Sequence, residues 1–94
     1  MIGNGLRVLV VEDNAAISKM VALILQADAH RVVAVTSGKE ALERLRGDHF
    51  DVLLYDLPIG VELGTMVRRW WPGVRFVPLT KPFRGVDLRR RVAT

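Results

Sequence analysis

Cysteine is absent from the 94 residues, which excludes a disulfide framework and any thiolate metal site. No apolar run approaches the length needed to span a bilayer, and the chain opens without a signal-peptide pattern. These absences make a cytoplasmic protein with no membrane association the expectation. Acidic residues thin out along the chain. Residues 1–59 carry eight Asp/Glu against six Lys/Arg, whereas residues 60–94 carry two against eight, seven of them arginine. A basic surface of that kind attracts nucleic acid or acidic partners. Without a recognisable DNA-binding motif, a solvated helix face is the better reading and nucleic-acid binding ranks low.

Half the residues are hydrophobic, enough for the core of one small domain spanning residues 1–94. Their spacing defines the elements. Leu6–Val11 is a dense aliphatic run and reads as a strand covered on both faces, as in a parallel sheet. Ile17, Met20, Val21, Ile24 and Leu25 recur at helical spacing from Ala15 to about Ala29, with Asn14 as N-cap. Arg31–Thr36 is a β-branched second strand. Ser37 and Glu40 then form a capping box, and Gly47 ends that helix.

Asp51–Asp56 is the third strand, followed by a short connection over residues 57–60. The pattern predicts a helix from Val61 to Trp71 with Leu63, Met66, Val67 and Trp70 inward, stopped by Pro72-Gly73. Val74–Thr80 is a fourth strand with Pro78 suited to an edge, and Leu88 and Val92 mark a last helix. The order βαβαβαβα predicts a doubly wound α/β fold with helices on both faces of a parallel sheet.

Two strands end in carboxylates: Glu12 and Asp13 after the first, Asp56 after the third. Open α/β sheets bind ligands at the carboxyl ends of their strands. Helix capping or solvation explains one such acid. Three acids on neighbouring strand ends point instead to a pocket for a hard divalent cation.

The acids Glu12, Asp13 and Asp56, the hydroxyl of Thr80, the run Lys81-Pro82-Phe83 and the helix opening Ser37-Gly38-Lys39-Glu40-Ala41-Leu42 together resemble the receiver domain of two-component response regulators. The resemblance covers residues 6–83. It implies a flavodoxin-like sheet, reduced here to about four strands, and a signalling switch with no turnover activity beyond its own phosphorylation and dephosphorylation. Asp56 is then the phosphoacceptor, served by a histidine kinase or phosphotransfer protein. Glu12, Asp13 and Asp56, with the backbone carbonyl of Pro58, hold Mg²⁺, while Thr80 and Lys81 contact the phosphoryl oxygens. A carboxylate attacking a phosphoryl group needs its repulsion cancelled, which a divalent cation and an ammonium provide.

The chain also departs from that family. Thr80 and Lys81 are adjacent, whereas a typical receiver separates them by a helix and a strand. Neighbours on an extended strand point to opposite faces, so both reach one pocket only if the backbone bends. A cis Lys81–Pro82 bond supplies such a bend. The missing elements are also expected to bare Met66, Trp70, Trp71, Phe76 and Val77 and the edge of the fourth strand. Edge pairing or segment exchange around Val74–Leu79 into a homodimer, rimmed by Arg68, Arg69 and Arg75, follows as an expectation. The alternatives are a last helix that shifts to cover the patch and a phosphorylation-independent interaction module retaining a remnant pocket.

Overall fold

The computed structural model describes residues 5–93, and the side chains of residues 57–62 lie outside that description. Four strands, β1 (Arg7–Val11), β2 (Arg31–Val35), β3 (Val52–Asp56) and β4 (Arg75–Leu79), form one parallel sheet in the order β2-β1-β3-β4. Four helices alternate with them: α1 (Ala15–Ala27), α2 (Gly38–Gly47), α3 (Leu57–Trp70) and α4 (Gly85–Ala93). The doubly wound α/β fold expected from the sequence is the one observed.

The period of two along each strand divides the core in two. Val8, Val10, Val52, Leu54, Val77 and Leu79 face α1 and α4, where Val21, Leu25, Leu88 and Val92 meet them. Leu9, Val11 and Leu53, with the half-buried Tyr55 and Phe76, face α2 and α3, where Ala41, Leu45, Leu63 and Val67 complete the second layer. Local signals hold at the helix starts. Asn14 Oδ1 accepts from the Ile17 N–H at 3.1 Å, and Ser37 Oγ accepts from the Glu40 N–H at 3.2 Å. The end of α1 comes earlier than the apolar spacing suggests, because Ala29 adopts a left-handed φ of 67° and the chain turns there.

The α3 region departs most from expectation. The helix starts at Leu57, directly after β3, with Pro58 in its first turn, where a missing N–H costs nothing. No separate connection spans residues 57–60. Only Leu63 and Val67 of the expected inward stripe are buried; Met66 and Trp70 are exposed, and Trp71 is half-buried. Met20 of α1 is likewise exposed.

The expectation of a bare β4 is corrected at two residues. Val77 is buried under α4, and Phe76 stacks on Tyr55 with ring centroids 4.0 Å apart. Gly64 explains the cover over Phe76: a Cβ there would lie 2.7 Å from Phe76 Cε2, so glycine alone lets α3 come this close. The open edge of β4 is also blunted. The Arg75 N–H donates to Asp51 O across the β3 ladder, so alternation points the backbone nitrogens of Phe76 and Pro78 to the open edge. Pro78 has no N–H to offer a pairing strand.

Candidate functional site

The site forms where β1 and β3 run out. Glu12 and Asp56 continue the α1/α4-facing rows after Val10 and Leu54. Each is held by the end of its ladder: the Glu12 N–H donates to Val35 O at 3.1 Å, and Asp56 pairs in register with Leu79. Both acids are buried and Asp13 is exposed. One carboxylate oxygen from each of Glu12, Asp13 and Asp56 falls within 4.8 Å of the others.

Capping does not explain Asp56. Asp56 occupies the N-cap position of α3, yet its side chain makes no capping hydrogen bond. The carboxylate is therefore left beside the positive end of a helix, which favours negative charge there. Glu12 Oε2 accepts from the Asn14 N–H at 3.0 Å, which fixes its carboxylate at the mouth of α1.

Lys81 completes the cluster. Its Nζ lies 2.7 Å from Glu12 Oε1 and 3.2 Å from Asp56 Oδ1. Of the two contacts, the shorter is with Glu12. Hydrogen bonding to Glu12, aided by Asp56, raises the Lys81 pKa above its ordinary 10.5, so the lysine is charged at neutral pH. Three carboxylates and one ammonium carry a formal charge of −2 between them. A divalent cation balances that charge, and an exposed Asp13 leaves room for the waters that Mg²⁺ retains. The residues present therefore fit Mg²⁺.

Thr80 is not brought into this group. Its exposed hydroxyl accepts from Arg91 Nη1 of α4 at 3.2 Å. The reason lies in the adjacency noted in the sequence. Lys81 stands two residues beyond Leu79, which faces the same side as Asp56, and takes the place at the pocket; Thr80 between them is turned away. The Lys81–Pro82 bond is cis. The Pro58 carbonyl, the remaining expected ligand, falls within residues 57–62 and lies outside what is described. The Arg91–Thr80 bond had no signal in the sequence, because it depends on how α4 packs beside the end of β4.

Residues 8–81 match the response regulator receiver domain family. DivK of Brucella suis, a polar-differentiation response regulator, is 32% identical over 63 residues, covering 67% of this chain and 51% of that protein. The sensor kinase/phosphatase CqsS of Vibrio cholerae is 30% identical over 66 residues, covering 66% of this chain and 10% of its own length. The chain thus spans about half of one relative and a tenth of the other. Among solved structures, the BeF3-activated DrrB receiver domain superposes with a TM-score of 0.78 at 26% identity, covering 94% of each chain. The chemotaxis response regulator CheY4 of Vibrio cholerae gives 0.81 at 23% identity, covering 94% of this chain and 96% of the other, a likeness of fold. With the family matched over residues 8–81, most of its length, this chain belongs to the response regulator receiver domains.

Proposed function

We propose that the chain is a cytoplasmic phosphoacceptor switch in which Asp56 takes a phosphoryl group from the phosphohistidine of a histidine kinase or phosphotransfer protein. The observation that carries this reading is the convergence of Glu12, Asp13, Asp56 and Lys81 at one strand end, with the Asp56 carboxylate unused for capping. An Asp56 carboxylate oxygen attacks phosphorus as the P–N bond to histidine breaks, and the bonding pair leaves with the imidazole, which takes up a proton. Mg²⁺ held by Glu12, Asp13 and Asp56 would neutralise charge on the phosphoryl oxygens. Lys81, already 3.2 Å from Asp56, offsets the repulsion between carboxylate and phosphoryl group and is positioned to follow the new oxygens. Glu12 acts through Lys81 as a positioning residue. Hydrolysis, in which water attacks phosphorus as the Asp56 O–P bond breaks and inorganic phosphate leaves, returns the carboxylate and the resting state.

Among the described residues no helix is long and apolar enough to cross a membrane. Helices α1 and α4 pack together, and both expose apolar side chains, Met20 and Leu23 on one and Val86 on the other. Because α1 begins at Ala15, two residues past Asp13, these side chains suit a docking protein that must reach Asp56.

One observation favours a second reading, an interaction module that works without phosphorylation: the hydroxyl of Thr80 is engaged by Arg91 instead of facing the acids. The two readings part in one experiment. After incubation with a small phosphodonor and Mg²⁺, intact mass should show one added phosphoryl group in the native chain and none in Asp56→Asn. Equal labelling of both would remove Asp56 from the mechanism, and no labelling of either would leave the second reading.

A further inference from the structure

On the α2/α3 side of the sheet, away from the α1/α4 side on which Glu12 and Asp56 stand, a groove of about 310 Å³ is lined by Arg46 of α2 and by Met66, Trp70 and Trp71 at the end of α3. Trp70 is 65% exposed, the most exposed large apolar side chain among the described residues. A tryptophan held open at a surface costs solvation without contributing to the core, and such residues concentrate where proteins meet partners. The rim is cationic. Both helices end in arginines, Arg44 and Arg46 on α2 and Arg68 and Arg69 on α3. Favourable interaction with the helix C-termini accounts for cations there, but not for an exposed indole among them. Among the described residues no Asp or Glu lines the groove, and Arg46 has no carboxylate partner.

We propose that this groove docks an acidic segment of a partner protein, inserting an aromatic or aliphatic side chain between Met66, Trp70 and Trp71 while its carboxylates engage Arg46 and Arg69. Charge selects this occupant over a second copy of the chain. A two-fold contact sets a patch against itself, which would bring the cationic rims of the two copies together. Shape selects it over a nucleic acid. Single strands bind flat aromatic faces strung along a cationic track, whereas the indole of Trp70 already carries the Arg69 guanidinium 5.5 Å from its ring centre. A concave apolar slot with a charged rim suits a side chain flanked by carboxylates.

The test uses the full chain and a fluorescein-labelled, glutamate-rich random copolymer of glutamate and tyrosine, followed by anisotropy. Saturable binding is expected, with labelled polyglutamate at least about tenfold weaker because it lacks the inserted side chain. Trp70→Ala and Arg46→Glu, both at exposed positions, should each weaken copolymer binding by about tenfold while leaving circular dichroism and phosphoryl uptake unchanged. Equal affinity for polyglutamate, or undiminished binding by both variants, overturns the proposal. So does tighter binding of an oligothymidylate of matched charge, which would make the groove a nucleic-acid site. A doubled mass by light scattering that Trp70→Ala abolishes would give the groove to a second copy.

Discussion

The inner and outer halves of the sheet are held together by different physics. In the inner half, Val8 through Val11 and Val52 through Leu54 are almost wholly removed from water, packed from both sides by aliphatic side chains. In the outer half, β4 is only half-buried at three of its five positions, and guanidinium groups tie it in place. Arg75 of β4 donates to the carbonyls of Arg91, at 2.7 Å, and Val92, so the strand holds the last turn of α4. Arg89 pairs with Asp28 at the end of α1 through two hydrogen bonds of 2.8 and 2.7 Å, and Arg91 reaches Thr80. The acids Glu12 and Asp56 stand on the inner half, and Lys81 arrives from the outer one. The carboxylates are thus preformed by the core, while their counter-cation is delivered by a segment secured by polar contacts.

That contrast predicts a steep gradient in sensitivity. The largest effect is expected at Leu53, fully buried in the inner half. Leu53→Ala should cost about 2–5 kcal/mol in urea unfolding, from lost transfer energy plus the cavity left behind. A loss under about 1 kcal/mol would mean the inner half repacks freely and is no more rigid than β4.

Next comes Arg75→Met, which keeps a long apolar stem but removes both bonds to α4. A loss of about 1–2 kcal/mol is expected. Amide exchange should quicken across residues 85–93 but not in β1 or β3, and unchanged exchange in α4 would show that Leu88 and Val92 alone anchor the helix.

The smallest effect belongs to the inner half's own polar tie. Asp51 Oδ2 accepts from the Arg7 N–H at 2.8 Å, which holds the Asp51 pKa below its ordinary 3.8. A depressed carboxyl contributes stability that is complete above the unfolded pKa and is lost as pH falls through the folded one. The carboxylate is more than a third exposed, so solvent screening reduces the contribution to well under about 1 kcal/mol. Asp51→Asn should leave stability at pH 7 nearly unchanged and flatten the acid limb below about pH 4. A large loss at pH 7 would place more of the inner half's stability in polar contacts than its burial suggests.

The same division explains what the sequence disclosed. Inner-half strands are written in largely aliphatic runs, and the N-caps of α1 and α2 are encoded locally, so β1, β3, Asn14 and Ser37 were legible residue by residue. The acids at the strand ends were legible for the same reason, since strand termini in an open sheet define where a site lies. The outer half is decided by contacts between distant residues. Nothing near Phe76 in the chain announces that Gly64 lets α3 lie against it. The helical spacing of Leu63, Met66, Val67 and Trp70 implied a wider buried stripe than α3 presents, and Leu63 and Val67 alone are enclosed. Adjacency of Thr80 and Lys81 showed that they compete for one place at the pocket, but which prevails depends on the partners each finds, Glu12 and Asp56 for the lysine and Arg91 for the threonine.

The central claim is that Glu12, Asp13, Asp56 and Lys81 form one site matched to a divalent cation, and a Mg²⁺ titration of thermal stability tests it most directly. A ligand bound only by the native state raises stability with the logarithm of its concentration. The native chain should therefore show a midpoint that climbs steadily with added Mg²⁺. Asp13→Ala, which removes one carboxylate from the repelling cluster, should melt higher than the native chain in the absence of metal and fail to respond when Mg²⁺ is added. An Asp13→Ala variant whose midpoint rises with Mg²⁺ as far as that of the native chain would contradict the account and place the cation elsewhere.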